Sequence, residues 1–333
     1  MRDYVLELRK CQQLSHYKDP AMPMPLLYLI AAVVLLVISM FALDRLAPAT
    51  ATRLGLALER RLSGLRLGRF ASGGISMPYL EGGSGETIVL VHGFGGDKDN
   101  FARTARHLAK SYRVLIPDLP GFGDASRDPG AGYAIADQVE NLRLFLQAQG
   151  VARAHLGGNS MGGFIVAEFA ARYPAQAASL WLLDAAGTAA AFDTPMVDTY
   201  HHGGGMPLLL RSPDDFGPML RACTFRPPLV PHSVKQVLGR RGAADFDLHT
   251  SIMRQVHQSP LLEHQFTAIA TPALIVWGEQ DRVLNPAGAA ALQAIMPDSE
   301  VVTMPNIGHL PMLEAPRRTA DIYLAFLRRL KAA

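Results

Sequence analysis

Residues 154–173 read AHLGGNSMGGFIVAEFAARY and contain the pattern that decides the fold. A short apolar segment leads into GNSMG, which matches G-x-S-x-G around Ser160, and a helical pattern follows. A sharp strand-to-helix turn of this kind presents a serine hydroxyl at the edge of a sheet, and its glycines let the backbone pack closely. The alternative is a glycine-rich turn whose serine only caps the helix. The context favours Ser160 as a nucleophile.

Short β-rich runs alternate with longer helical patterns on both sides of this turn. The alternation predicts an α/β fold, with a mostly parallel sheet covered by helices on both faces. The predicted strands are 75–80, 87–91, 113–117, 154–156, 179–183, 273–277 and 300–304. The predicted helices include 100–110, 135–149, 161–172, 287–296 and 318–330. In such sheets ligands bind beyond the carboxyl ends of the strands, so functional residues are expected there.

A serine hydroxyl needs an adjacent base near neutral pH, and the base needs an acid that holds its tautomer. His309 lies in the sequence NIGHLP, directly after the last predicted strand. Asp281 lies in WGEQDRV, after the strand before that one. The chain order Ser160, Asp281, His309 is the order expected for a triad built on such a serine turn. Asp184 and Glu279 are the alternatives for the acid.

Two backbone N–H groups are needed to hold the oxyanion of the reaction. One is the N–H of Met161, directly after the nucleophile, and the other is expected from the loop after an early strand. The sequence VHGFGG lies there, and its glycines allow a close approach, which makes Phe94 the candidate donor. We interpret His92 in the same loop as a structural residue that packs under it.

The amino-terminal part of the chain predicts a membrane span. Residues 26–43 read LLYLIAAVVLLVISMFAL and contain no charge, and about 20 apolar residues cross a bilayer. The alternative is a cleaved signal peptide, whose leader is short and whose apolar region is about 7–15 residues long. Here a tail of residues 1–25 precedes the span, which favours a retained anchor. Four basic residues on each flank leave the orientation undecided.

The predicted juxtamembrane segment, residues 44–72, has an amphipathic pattern. Leucines recur at helical spacing between arginines, at Leu54, Leu58, Leu62 and Leu65. Such a helix either lies in the headgroup layer or packs on the soluble domain. Small residues in the span permit close packing of two copies, so a homodimer through the span and this segment is a further expectation.

One long stretch contains no convincing strand and interrupts the alternation. We predict that residues 188–261 form a helical cap, inserted into a core of residues 73–187 and 262–333. The apolar side chains of this cap would either line an acyl-chain site or form the cap's own core. They are Met196, Met206, Leu208, Leu209, Leu210, Phe216, Met219, Leu220 and Phe225.

The composition excludes several classes of protein. Hydrophobic residues make up 49% of the 333 residues, which excludes disorder over most of the chain. The net charge is +3 and no long basic run exists, so a nucleic-acid partner is not expected. Cys11 and Cys223 form no disulfide framework and lack metal-ligand spacing. The expected chemistry therefore needs no metal and no organic cofactor.

Five segments together resemble the α/β-hydrolase superfamily. They are VHGFGGDKDNF (91–101), PDLPGFGDAS (117–126), GGNSMGG (157–163), IVWGEQDRVL (275–284) and NIGHLPMLEAP (306–316). The resemblance covers residues 73–333. It implies a catalytic triad of Ser160, Asp281 and His309, and an oxyanion hole formed by the backbone of Phe94 and Met161. Asp118 and Gly121 would be structural members of the second segment.

A closer resemblance is to the membrane-anchored monoacylglycerol lipases and lysophospholipase-type esterases of this superfamily. They combine an amino-terminal span with motifs of the HGF and GNSMGG types. The resemblance implies a serine esterase that acts on monoacylglycerol, lysophospholipid or phospholipid through an acyl-enzyme, in a single-pass protein. Composition, rich in Arg and Ala, suggests the inner membrane of a bacterium.

The same scaffold supports other chemistry, so alternatives stay open. They are a short-chain esterase, a carbon–carbon hydrolase, a haloperoxidase-like enzyme and an amidase. A non-catalytic membrane scaffold is a further alternative. The set of serine, acid, base and oxyanion loop argues against the last.

Overall fold

The computed structural model describes residues 23–332, so most of the predicted tail lies outside the described residues, as does Cys11. The chain divides into two units, Met1–Ala47 and Pro48–Ala333. The described part of the first unit is dominated by helix α1 (Met24–Leu46), whose most apolar window has a mean hydropathy of 2.9. At 1.5 Å per residue its 23 residues extend about 34 Å, which is long enough to cross a hydrocarbon core of about 30 Å.

The second unit is built on an eight-stranded sheet. Its strands are β1 (Arg66–Ser72), β2 (Ile75–Gly82), β3 (Thr87–Val91), β4 (Arg113–Pro117), β5 (Ala154–Asn159), β6 (Ala177–Leu183), β7 (Ala273–Gly278) and β8 (Ser299–Met304). The strand order is β1-β2-β4-β3-β5-β6-β7-β8, and the pairs from β4 to β8 are all parallel. This arrangement confirms the predicted fold class. The parallel strands end at one edge, where the candidate site lies.

Helices cover both faces of the sheet and bury two apolar cores against it. The helices of this unit, including those outside the two faces, are α2 (Pro48–Leu62), α3 (Ala102–Leu108), α4 (Ile135–Ala148), α5 (Met161–Arg172), α6 (Ala189–Phe192), α7 (Pro195–His201), α8 (Phe216–Cys223), α9 (His232–Ala244), α10 (Phe246–Gln258), α11 (Leu262–Gln265), α12 (Gly288–Ile295), α13 (Pro311–Glu314) and α14 (Pro316–Ala332). The central strands read as nearly continuous apolar runs because both of their faces are covered; all six residues of β7 are buried.

The sheet begins earlier than the predicted boundary at residue 73. We assigned residues 44–72 to a juxtamembrane segment, whereas Arg66–Ser72 is strand β1 and pairs antiparallel with β2. Phe70 is the one buried residue of this edge strand, so β1 lacks the apolar alternation that predicts a strand. The overlooked signal is the Gly73-Gly74 pair, because both residues have positive φ, of 57° and 84°, as a two-residue hairpin loop requires.

Helix α2 packs on the sheet domain through its polar side, and several of its leucines are exposed on another side. The guanidinium of Arg60 donates two hydrogen bonds to the carboxylate of Asp99, at 2.7 and 2.6 Å. Leu54, Leu58 and Leu62 are each more than half exposed. The hydrogen-bonded contact of this helix with the domain is therefore made by a charged residue, whereas these three leucines stay largely exposed.

The stretch between β6 and β7 is helical, and the structure describes all of it without a strand. It contains α6 to α11 and one short 3₁₀ turn, Pro213–Asp215, so the helical part extends to Gln265, slightly past the predicted end at residue 261. Because it is inserted at the carboxyl edge of the sheet, this segment covers the region where the candidate residues converge. We call residues 188–265 the cap.

Candidate active site

Ser160 lies at the turn between β5 and α5 in a backbone conformation that non-glycine residues rarely adopt. Its φ is 56° and its ψ is −121°. A Cβ at Gly158 would lie 2.2 Å from the carbonyl oxygen of Gly162, so the close packing of this turn requires glycine. The hydroxyl of Ser160 makes no capping hydrogen bond to α5. The interpretation of Ser160 as a helix cap is therefore wrong.

His309 and Asp281 are joined by a hydrogen bond in the loops after β8 and β7. The distance from Nδ1 of His309 to Oδ2 of Asp281 is 2.7 Å. The other carboxylate oxygen accepts the backbone N–H groups of Val283, at 2.8 Å, and Leu284, at 3.1 Å. This arrangement favours the tautomer in which Nδ1 carries the proton and Nε2 has a free lone pair. The imidazole can then accept a proton through Nε2.

Asn159, which the sequence analysis missed, links the serine turn to the loop that carries His309. The side-chain amide of Asn159 donates to the carbonyl oxygens of Leu183 and His309, each at 3.0 Å. Asn159 is buried and directly precedes Ser160. Ser160 and His309 line the same cavity. The structure thus brings the predicted serine and histidine to one place, from positions far apart in the chain.

The two alternative acids occupy different environments. Glu279 is exposed, and its carboxylate accepts a hydrogen bond from the side chain of Gln280. Asp184 is fully buried at the end of β6, and its Oδ1 accepts the N–H of Gly278 at 2.7 Å. Nδ1 of His309 donates its hydrogen bond to Asp281, and to neither alternative.

The predicted oxyanion loop lies against the serine turn. A Cβ at Gly93 would approach the Cβ of Ser160 to 3.0 Å, which shows how near the loop passes. The N–H of Gly96 donates to the carbonyl of Gly93 at 3.1 Å and closes the turn that contains Phe94. Met161 is the first residue of α5, so its N–H has no acceptor within the helix. Both candidate donors therefore border Ser160.

His92 is a structural residue, as expected. It is fully buried, its Nε2 accepts the N–H of Leu119 at 3.1 Å, and its Nδ1 contacts the carbonyl oxygen of Gly93 at 2.8 Å. Burial lowers the pKa of His92, which favours the neutral ring. The ring supports the oxyanion loop from below and does not contact Ser160 by hydrogen bond.

Asp118 forms a buried ion pair that the sequence did not reveal. Its carboxylate accepts the backbone N–H of Lys98 at 2.7 Å and the Nζ of the same lysine at 2.8 Å. Gly121, in the same segment, has a φ of 89°, and a Cβ there would clash with Ile252 of the cap at 2.5 Å. Both residues fit the structural roles that the resemblance implies.

Ion pairs tie the cap to the core beside the oxyanion loop. Arg241 of α9 contacts Asp97 at 2.5 Å and Asp124 at 3.6 Å. Arg127 contacts both carboxylate oxygens of Asp245, the residue between α9 and α10, at 2.9 Å. These contacts hold two helices of the cap over the loop that carries Phe94.

A cavity of about 680 Å³ opens at Ser160 and His309. A small recess of about 40 Å³ borders Ser160, Phe94 and Met161 on another side. Most of the predicted cap residues line one or both of these spaces: Leu208, Leu210, Phe216, Met219 and Leu220 line the cavity, and Met196, Met206 and Leu208 line the recess. Leu209 and Phe225 line neither. Part of α2 also borders the cavity, including Leu58 and Leu62.

Residues 88–322 match the alpha/beta hydrolase family. The chain is 39% identical over 284 residues to lipase 1 of Psychrobacter immobilis, a match that covers 82% of this chain and 88% of the relative. It is 29% identical over 257 residues to a monoacylglycerol lipase of Mus musculus, covering 72% of this chain and 75% of the relative.

A solved structure shares both the fold and the sequence. The crystal structure of a membrane phospholipase A, described as a bacterial virulence factor, superposes with a TM-score of 0.83 and 39% identity. The match covers 92% of this chain and 99% of that chain. The similarity therefore includes the cap as well as the sheet.

Proposed function

Because the chain belongs to the alpha/beta hydrolase family, we propose that it is a membrane-anchored serine esterase that hydrolyses lipid esters through an acyl-enzyme. The observation that carries the proposal is the hydrogen bond between His309 and Asp281 beside a cavity that begins at Ser160. The relatives named as lipases and as a membrane phospholipase A support a lipid substrate.

The proposed reaction has two steps. His309 accepts the hydroxyl proton of Ser160 through Nε2, and the Ser160 oxygen attacks the ester carbonyl. The backbone N–H groups of Phe94 and Met161 stabilise the oxyanion. The bond to the alcohol then breaks, and His309 donates its proton to that alcohol. In the second step His309 activates a water molecule, which releases the fatty acid and restores Ser160.

The substrate classes that fit best are monoacylglycerol, lysophospholipid and phospholipid. A cavity of about 680 Å³ has the size of a site for a long-chain ligand, and leucine and methionine side chains of the cap border it. We propose that the acyl chain lies among Leu208, Met219 and Leu220, since these side chains line the cavity that opens at the serine.

We also propose that α1 is retained as the single span of an inner-membrane protein. Its length and hydropathy support a span, and the hydroxyl of Ser39 is satisfied within the helix by the carbonyl of Leu35 at 2.8 Å. A homodimer through the span and the segment that follows is a part of this proposal. Small residues in α1, among them Ala31 and Ala32, support it.

Fatty-acid release by the detergent-solubilised protein tests the function. The panel contains monoacylglycerol, lysophospholipid, diacyl phospholipid and a short-chain aryl ester, and Ser160→Ala is the control. We expect release from a long-chain lipid that Ser160→Ala abolishes, together with loss of labelling by a fluorophosphonate. Cleavage of the short ester alone would contradict the lipid substrate, and activity of Ser160→Ala would contradict the nucleophile.

A further inference from the structure

A second carboxyl group lies behind the proposed acid, at a position that the reaction described above does not use. Asp184 follows β6, has an exposure of 0% and has a φ of 45°, which is rare for a residue other than glycine. Its N–H donates to the carbonyl of Val276 at 2.9 Å, and its Oδ1 accepts the N–H of Gly278 at 2.7 Å. Its side chain therefore bridges the end of β6 to the end of β7.

Gly278 connects this side chain to both loops of the proposed triad. The carbonyl of Gly278 accepts the N–H of Asp281 at 3.1 Å, which forms the turn that presents the acid. A Cβ at Gly278 would lie 2.0 Å from the carbonyl oxygen of Gly308, the residue before His309. A shift of Gly278 would therefore move the acid and the base relative to each other.

The hydrogen bonds favour Asp281 over Asp184 as the carboxyl group that carries the charge. Asp281 accepts three hydrogen bonds, from His309 and from two backbone N–H groups, as a carboxylate requires. Asp184 accepts one, and its Oδ2 is buried without a hydrogen-bond partner. One ligand atom of Asp184, Asp281 and His309 each lies within 4.8 Å of the others. Two carboxylates so near each other repel, and burial of Asp184 strengthens this repulsion, which disfavours ionisation of both.

Among the residues that the structure describes, no cationic side chain forms a hydrogen bond with Asp184. Glu314 accepts the N–H groups of Gly308 and Phe225, each at 2.9 Å, and adds negative charge. Burial raises the pKa of the Cys223 thiol to about 12, so it stays neutral. Burial, followed by the charge of Asp281, raises the pKa of Asp184 well above its usual range.

We propose that Asp184 is a positioning residue that carries a proton at neutral pH. Its neutral carboxyl group holds Gly278 and leaves Asp281 as the carboxylate that orients His309. The proposal rests on the triad proposed above, because it assigns Asp184 a role through Asp281 and not through the substrate.

The first test compares Asp184→Asn with Asp184→Ala. Asparagine is neutral and has the same shape, so we expect kcat within about threefold of the wild type and an unchanged acid limb of the kcat/KM–pH profile. Alanine removes the acceptor for Gly278, so we expect kcat to fall about tenfold or more with little change in KM. Glu279→Gln is the matched control, because Glu279 is an exposed acid in the loop that carries Asp281. This substitution should change neither kcat nor the acid limb of the profile.

The proposal would be overturned if Asp184→Asn lowered kcat as much as Asp281→Asn does. Asp281→Asn should lower kcat about 10⁴-fold, because asparagine does not hold His309 in the tautomer that accepts a proton through Nε2. An equal loss, or a shifted acid limb, would mean that Asp184 is ionised and is itself needed as a charge.

Infrared spectroscopy tests the protonation state directly in the wild-type protein, and Asp184→Asn serves to assign the band. With isotope-labelled aspartate at neutral pH, we expect a protonated-carboxyl band in the wild-type protein that disappears in Asp184→Asn. Absence of this band in the wild type would overturn the proposal. Ser160→Ala should keep the band and lose esterase activity. Active Ser160→Ala would thus refute the proposed function separately.

Discussion

The side chain of Asn159 donates a hydrogen bond to the carbonyl oxygen of His309 at 3.0 Å. This contact joins the residue before the proposed nucleophile to the proposed base, across 150 positions of the chain. The same amide donates to the carbonyl of Leu183 at 3.0 Å, at the end of β6. One buried side chain therefore fixes the serine turn, a central strand and the histidine loop relative to one another.

Replacement of Asn159 by alanine should therefore lower both the activity and the stability of the protein. Both carbonyl groups would lose a buried donor, which costs about 1–3 kcal/mol, and a misplacement of about 1 Å between reacting groups costs about 10²-fold in rate. We expect kcat/KM to fall about 10²-fold, measured by fluorophosphonate labelling rate and ester turnover. Asn285→Ala is the control, because Asn285 also donates to a backbone carbonyl, that of Asp193, at an exposed site. Equal losses in the two variants would contradict the prediction.

The sequence predicted the parts of the molecule that carry a local pattern. Most predicted strands are buried apolar runs, although in β8 only Met304 is buried, and the serine turn is marked by glycines that the backbone requires. Strand β1 was missed because Phe70 is its one buried residue. Asn159 and Lys98 were missed because each acts through a partner far along the chain. Asp118, the partner of Lys98, shows that even a recognised motif residue does not reveal its counter-ion.

Loss of Arg241, which joins the cap to Asp97 of the core, should destabilise the protein. Arg241→Met would leave the nearly buried carboxylate of Asp97 without its cation, which is costly in a site of low exposure. The arginine side chain is partly exposed, so we expect a fall of about 1–3 kcal/mol in the free energy of unfolding, measured with urea. Arg240→Met, at the exposed neighbouring position of α9, is the matched control. An equal effect of the two substitutions would show that the contact with Asp97 contributes nothing.

A bulky side chain in the cavity should shift the substrate preference toward shorter acyl chains. Met219→Trp adds volume to the wall of the cavity, so a long chain would lose contacts worth about 0.8 kcal/mol for each methylene displaced. We expect kcat/KM to fall at least about tenfold for a long-chain lipid, with a smaller change for a short aryl ester. Leu209→Trp is the control, because Leu209 belongs to the same cap and lines neither space. A uniform loss for all chain lengths would contradict an acyl site at Met219.

The cap should lose stability as the pH falls, because protonation of the half-buried His257 favours the unfolded chain. Burial, followed by the charge of His201, lowers the pKa of His257 to about 4, from 6.5. The unfolded chain binds this proton more readily than the folded protein, so the contribution of the neutral ring is complete above about pH 6.5 and is lost between about 6.5 and 4. The upper limit is about 3 kcal/mol, and partial exposure reduces it to about 1–2 kcal/mol.

His257→Phe should remove this pH dependence while keeping an aromatic ring beside Phe192 and Tyr200. The ring centroids of these two residues lie 5.1 and 5.3 Å from that of the histidine. The free energy of unfolding is measured with urea at pH 7 and at pH 5. The difference between the two free energies should be smaller in the variant than in the wild type. His264→Phe, at an exposed position, should retain the wild-type difference. If His257→Phe and the wild type lose the same free energy of unfolding on acidification, the acid sensitivity belongs to other groups. The neutral state of His257 would then contribute nothing to the stability of the cap.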